Sequence, residues 1–130
     1  MEEKVIKPHL VKPMLEKIVY DKLQNPQNGV MVNIKPEDYI DVKKITEEIV
    51  RVTMTRSLLV SPASLLKLSV TMSVDIPVDS IEFSRLDDPK GYIRNSQPVK
   101  IALGYISNLI TEITINSAVG PIVTPPNIQE

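Results

Sequence analysis

The sequence predicts an α+β domain: a four-stranded antiparallel sheet packed against one long C-terminal helix, followed by an extended, proline-rich tail. Two periodicities and one total carry this. Leu66, Leu68, Val70, Met72, Val74, Ile76 and Val78 alternate with Lys67, Ser69, Thr71, Ser73, Asp75 and Pro77. Apolar residues at period two describe a long strand with one buried and one wet face, the pattern of an antiparallel sheet. From about Gln97 the period changes: Val99, Ala102, Leu103, Ile106, Leu109, Ile110 and Ile113 recur at helical spacing and form one stripe. The chain has 130 residues, 42% of them hydrophobic, which suffices for one core and one domain.

In chain order, residues 1–13 are expected to form an arm, because Pro8 and Pro13 interrupt any regular period. The domain is expected over 14–116 and the tail over 117–130. Residues 15–23 read as the first strand, centred on Ile18-Val19-Tyr20. Asn25-Pro26-Gln27-Asn28-Gly29 reads as a turn, since Asn-Gly supplies positive φ. Val30, Val32 and Ile34 alternate in a short second strand. Lys35-Pro36-Glu37-Asp38 is expected to break it, with residues 39–42 continuing the sheet after a bulge. Residues 45–59 read as the third strand, with Val50, Val52, Met54, Arg56 and Leu58 on one face and Arg51, Thr53 and Thr55 on the other. Val60-Ser61-Pro62-Ala63-Ser64 is a connection of hairpin length, so this strand should pair with residues 66–78. Taken in chain order, the four strands suggest an up-and-down sheet. Pro77 has no amide donor, which places the end of the fourth strand at an edge or leaving the sheet.

Residues 84–95 carry Asp87-Asp88-Pro89-Lys90-Gly91 and Arg94-Asn95 and read as a loop. Ser96 is the expected N-cap of the helix, with Pro98 tolerated in its first turn. The β-branched run 110–115 would also suit a strand, but continuity of the stripe favours helix. Beyond Asn116, Gly120-Pro121 and Pro125-Pro126 forbid further helix and leave an extended tail. The helix's second face is Gly104, Ser107, Asn108 and Thr111, with Lys100 at one end. A solvated face normally carries several charges, so these small uncharged residues suggest a subunit contact rather than a bland surface.

Composition excludes much chemistry. A net charge of −1, with no basic run longer than Lys43-Lys44, gives no field for nucleic acid. The absence of cysteine removes disulfides, thiol nucleophiles and Cys-ligated zinc, and fits a cytoplasmic location. The N-terminus is acidic rather than a secretory signal, and no stretch approaches the roughly 18 apolar residues of a membrane span. Aromatics at 4% leave little for a stacking platform or an aromatic-lined cofactor pocket. His9 is the only histidine and has no acid or nucleophile at local spacing, so a surface role is expected. The pairs Glu2-Glu3, Glu37-Asp38, Glu47-Glu48 and Asp87-Asp88 lack calcium-loop spacing and are expected to be solvated or in turns. Gly29, Gly91, Gly104 and Gly120 are too far apart to cradle a phosphate, and no serine lies in Gly-x-Ser-x-Gly. No enzymatic activity, cofactor or metal is expected.

The predicted order of elements resembles the SecB protein-export chaperone family. Val50-Arg51-Val52-Thr53-Met54-Thr55-Arg56-Ser57-Leu58 looks like that family's third strand, and the alternating residues 66–78 look like its fourth. Residues 104–128 resemble its main helix and exit, with Ile110-Thr111 in the helix, then Pro121 and Thr124-Pro125-Pro126-Asn127-Ile128. The resemblance covers residues 14–128 in layout. It implies a homo-oligomer, a dimer of dimers, whose helices meet where Lys100, Gly104, Ser107, Asn108 and Thr111 lie. It also implies binding of unfolded or extended polypeptide clients, without ATP, in grooves between sheet, helix and preceding loop. Candidate groove residues are Ile81, Phe83, Leu86, Tyr92, Ile93, Ile101 and Tyr105, for each of which ordinary packing is the competing role. Two departures weigh against coupling to export: no counterpart of the family's second C-terminal helix precedes Glu130, and aromatics are sparser. A client such as an antitoxin, or an adaptor oligomer that binds one specific protein, is the alternative on the same fold.

Overall fold

The computed structural model describes residues 5–25, 29, 31–63, 65–117 and 119–129. Four strands, β1 (Met14–Lys22), β2 (Asn33–Thr46), β3 (Ile49–Ser61) and β4 (Leu66–Pro77), are followed by α1 (Ser80–Ser84), α2 (Pro89–Arg94) and α3 (Gln97–Thr114). All strand pairs are antiparallel, and the expected α+β architecture of a sheet backed by one long helix is present.

The sheet order is β1-β4-β3-β2, so the up-and-down expectation holds for β2, β3 and β4 but not for β1. The first strand lies beside the fourth, on the far side of the sheet from the second. The two strands whose inward positions are the most apolar, β3 and β4, occupy the centre, where both neighbours cover them. Their polar-interrupted companions lie at the edges. This placement also explains why Pro36 does not break β2. The Asp38 amide points away from β3, towards Gln129, so Pro36, two residues earlier, turns its missing donor to the same open edge. The strand therefore runs unbroken from Asn33 to Thr46.

The expected third strand, 45–59, is instead the end of β2, a tight turn at Glu47-Glu48 and the bulk of β3. Thr46 Oγ1 accepts from the Glu48 amide, and Lys44 pairs with Glu47 at 2.9 Å. Gly29 takes positive φ, as the Asn-Gly turn requires, while residues 26–28, Val30 and Ser64 lie outside the described residues. The β3–β4 connection carries a cis Ser61–Pro62 peptide.

The predicted loop at 84–95 holds one short helix, α2, and begins on the last residue of another, α1. The Asp79 carboxylate caps α1 by accepting from the amides of Ile81 and Glu82 at 3.1 and 3.0 Å. Asp88 caps α2 by accepting from the Gly91 amide at 3.1 Å, with Pro89 in the first turn. Helices this short carry too little periodicity to announce themselves.

α3 spans the predicted stripe. Val99, Ala102, Leu103, Ile106 and Ile110 are buried against Val50, Val52, Met54, Leu68, Val70, Val74 and Ile76, while Leu109 and Ile113 are half-buried at its margin. Each fully buried Val, Leu or Ile among them contributes about 1.5–3 kcal/mol through removal from water. Ser96 sits at the N-cap, but its hydroxyl donates to the Ile93 carbonyl at 2.6 Å rather than capping the helix. At the other end of the chain, Ile6 bridges to Val78 and the Lys7 amide donates to Pro77 at 2.9 Å, so the arm continues the β1 side of the sheet along β4. Among the described residues no helix is long and apolar enough to cross a membrane.

Candidate functional site

α3 lies across the middle of the sheet and has two flanks, one closed by the chain itself and one open. The closed flank carries Ser107, Thr111 and Thr114. Ser107 Oγ donates to the Thr124 carbonyl, and Thr111 Oγ1 donates to the Ile122 carbonyl at 2.8 Å. Thr114 Oγ1 accepts from the Ile122 amide at 2.8 Å. Residues 122–129 thus run back over the helix as a strap rather than extending away from the domain, with Ile122 and Thr124 buried.

Beneath the strap lies Arg56, opposite Asp38 in the β2–β3 register. Its Nε and Nη2 donate to the Asp38 carboxylate at 2.7 and 2.8 Å. Nη1 donates to Thr124 Oγ1 at 2.9 Å and to the Pro125 carbonyl, and Nη2 also donates to the Asn127 carbonyl at 2.9 Å. All five N–H donors of the guanidinium are engaged. Asp38 completes the set: its carboxylate accepts from the Gln129 amide at 2.8 Å, and its own amide donates to the Gln129 carbonyl at 2.7 Å. The side chains of Arg56 and Asp38 are 0% and 1% exposed. A charge removed from water this completely persists only when paired and fully hydrogen-bonded.

The expectation that Glu37-Asp38 is a solvated pair is therefore corrected for Asp38. Arg56 was visible in the sequence as an inward-facing member of an apolar strand. Its partner lies in the segment that Pro36 marks as an expected break.

The open flank is different. Ile101, Tyr105 and Leu109 recur every four residues and form a row on the other side of α3 from Ser107 and Thr111. Across from them, Leu15 and Ile18 of β1 lie in register with Met72 and Val70, so they share the helix-facing side of the sheet. Yet Leu15 and Ile18 are 51% and 40% exposed, and Ile101 and Tyr105 are 38% and 53% exposed. The helix covers β3 and β4 but stops short of β1. A cleft lined by Ile6, Val11, Pro98 and Ile101 continues this strip under the N-terminal arm. No strand among the described residues pairs with the outer edge of β1.

The sequence-predicted groove residues do not gather at one place. Ile101 and Tyr105 stand together on the open flank, and Ile81 is exposed on α1. Phe83, Leu86 and Tyr92 are half-buried against the core, and Ile93 is wholly buried in it, which removes it from any surface. Sequence reasoning missed Leu15 and Ile18, whose signal was their place on a weakly apolar strand destined for an edge. Of the five expected interface residues, Ser107 and Thr111 are taken by the strap, and Lys100 lines a cleft with Leu103, Pro126 and Ile128. Asn108 is exposed, and a Cβ built on Gly104 meets nothing within 4 Å.

On the sheet's outer face, Arg51 and Asp75 form a two-bonded pair at 2.8 and 3.1 Å. Hydrogen bonding to the guanidinium holds the Asp75 carboxyl below its ordinary value, against a smaller opposing effect of burial. His9 Nδ1 lies 2.9 Å from the Lys7 carbonyl. Among the described residues no group of three His, Cys, Asp or Glu is placed to hold a metal ion.

No protein-family model matches the chain, and no curated protein matches its sequence. Among solved structures it is similar to the Mycobacterium tuberculosis Rv1957 SecB-like chaperone in complex with a ChAD peptide from the Rv1956 HigA1 antitoxin. That similarity has a TM-score of 0.71 at 10% identity, over 88% of this chain and 86% of that one. A protein of unknown function from Streptococcus agalactiae is similar over 88% of this chain and 92% of that one, at 16% identity and a TM-score of 0.43. The chain has the SecB-like fold.

Proposed function

We propose that this protein is an ATP-independent holdase that binds extended or non-native polypeptide, acting as a homo-oligomer in the cytoplasm. The observation that carries the reading is the open apolar strip of Leu15, Ile18, Ile101 and Tyr105 beside a strand edge that is unpaired among the described residues. Such an edge recognises a client by main-chain hydrogen bonds, and the strip accepts alternate apolar side chains. The fold shared with a SecB-like chaperone seen with an antitoxin peptide supports a polypeptide ligand. Self-association is assigned to the outward side of α3, where Gly104 gives a second helix room to approach and Asn108 stays accessible.

The test is aggregation of a thermally destabilised protein followed by light scattering. Stoichiometric addition should slow it without nucleotide; no effect at several-fold excess sinks the holdase reading. A second reading, an adaptor for one protein, is supported by the peptide of the HigA1 antitoxin in the SecB-like structure. It is distinguished by one specific partner in a pull-down together with no general suppression of aggregation. Native mass measures the self-association.

A further inference from the structure

We propose that the cradle beneath the strap is a second site for extended polypeptide, filled in the resting state by the chain's own residues 122–129 and vacated when a client segment takes their place. This rests on the polypeptide-binding reading and adds to it a site and its regulation.

The hydrogen bonds that hold the strap go to its main chain almost throughout, while Ile122 and Ile128 add apolar packing against the core. Thr114, Thr111 and Ser107 meet the Ile122 amide, the Ile122 carbonyl and the Thr124 carbonyl. Arg56 meets the carbonyls of Pro125 and Asn127, and Asp38 meets the amide and carbonyl of Gln129. A site that grips amides and carbonyls is indifferent to most of the sequence it holds, because every residue supplies the same carbonyl. Only Thr124 adds a side-chain hydroxyl, to Arg56.

The gripping groups belong to rigid elements rather than to the strap. The three hydroxyls sit on α3 at spacings of four and three, which brings them onto one face. The guanidinium is fixed by two bonds to Asp38 on the neighbouring strand, leaving its other donors aimed at the strap. If the role were stability alone, apolar side chains of similar volume would serve as well or better than a buried ion pair. A guanidinium held in place by a carboxylate is instead a preformed receiver of carbonyl groups.

The strap also states what it replaces. Ile122 and Thr124 are buried, while Val123 between them is 80% exposed. The cradle therefore selects an extended segment with small branched residues at alternate positions. Arg56 and Asp38 cancel in charge, so no acidic or basic preference is built in. Where the binding-competent state is only partly populated, apparent affinity falls by that fraction, and weakening the strap restores it.

The experiment uses the full chain and reduced, carboxymethylated α-lactalbumin as a permanently unfolded probe. Hydrogen exchange at the Ile122 and Gln129 amides should rise when the probe saturates the protein, while the Val52 and Val74 amides stay protected. Ile122→Ala, which loosens the strap and leaves the cradle's donors in place, should bind the probe roughly tenfold tighter by fluorescence anisotropy. A synthetic peptide of residues 119–129 should compete with the probe. If the probe binds while the two strap amides stay protected, the strap is a fixed part of the fold and the inference is wrong, though the polypeptide reading survives. Unchanged affinity in folded Ile122→Ala is equally fatal to it. Should that variant unfold, exchange in the unsubstituted chain decides alone. No binding of the probe at all overturns both readings.

Discussion

Arg56 on β3 and Asp38 on β2 face each other in register, and two hydrogen bonds of 2.7 and 2.8 Å join them out of reach of water. The pair ties three parts of the chain together, because the remaining guanidinium donors hold Thr124, Pro125 and Asn127. Its effect on stability is correspondingly asymmetric. Removing one partner strands the other charge, whereas removing both leaves uncharged groups of the strap to be accommodated: two carbonyls, the Thr124 hydroxyl and the Gln129 amide.

Arg56→Met should accordingly destabilise the fold by about 3–5 kcal/mol, the usual penalty for an uncompensated buried charge. The double variant Arg56→Met, Asp38→Leu should regain a large part of that loss. It should not regain all of it, since each strap carbonyl left without a donor costs about 1–3 kcal/mol. Urea unfolding of the three proteins measures this. A single variant as stable as the parent would show that the carboxylate is not confined as described.

The pair on the outer face makes an opposite prediction, about acid. Arg51 and Asp75 are partly exposed, so their contribution is small, but its pH dependence has a definite sign. The Asp75 carboxyl lies below its ordinary value of 3.8 in the folded chain because the Arg51 guanidinium hydrogen-bonds to it. The unfolded chain therefore takes up a proton first as pH falls. The pair's contribution is full above the ordinary aspartate value and disappears as pH drops through the lowered one. Asp75→Asn should thus differ from the parent in urea midpoint near neutrality and converge with it in strong acid. Divergence growing towards acid would contradict the assignment.

These two pairs mark what was legible in the sequence. Period-two alternation through 66–78 and the stripe from Val99 to Ile113 are repeated local patterns, and burial follows both. Arg56 was legible as an inward residue for the same reason. Asp38 was not, because its role depends on which strand lies at the edge, and Pro36 beside it suggested a break. Edge or centre is settled by pairing between distant segments, which no local period records. The strap was illegible for another reason. Contacts made through main-chain atoms leave almost no trace in side-chain identity, so residues 122–129 looked like a tail. Its partners Ser107 and Thr111 show in the sequence only as a helix face short of charge, a pattern shared by subunit contacts.

The caps of the short helices offer a local test. Asp88 Oδ1 accepts from the Gly91 amide at 3.1 Å, and a Cβ on residue 91 would collide with Asp88 Oδ2. Gly91→Ala should therefore expel the carboxylate and lose the cap, a cost of about 1 kcal/mol that alanine's better helix propensity returns in part. Asp88→Ala should do much the same, and the double variant should cost no more than either alone, because one interaction is lost in all three. Thermal denaturation reads the comparison, and full additivity would separate the two residues.

The last prediction separates packing from binding on a single helix. Ile106 and Tyr105 are neighbours in sequence but point apart, Ile106 into the core and Tyr105 onto the open flank. Ile106→Ala should destabilise by about 2–5 kcal/mol, because the cavity it leaves is walled by a well-packed sheet. Tyr105→Ser and Ile18→Ser should each cost less, about 1–2 kcal/mol, since the two residues are already 53% and 40% exposed. Their effect should appear in function. With Leu15 and Ile101 they form the only large apolar strip beside the free β1 edge among the described residues, so the double variant should lose most of its ability to hold an unfolded probe. Unfolding midpoints and probe anisotropy, measured on the same preparations, give the two readouts independently. A double variant that stays folded and binds as tightly as the parent would move the polypeptide site off this flank, and the cradle beneath the strap would then be the surface to examine.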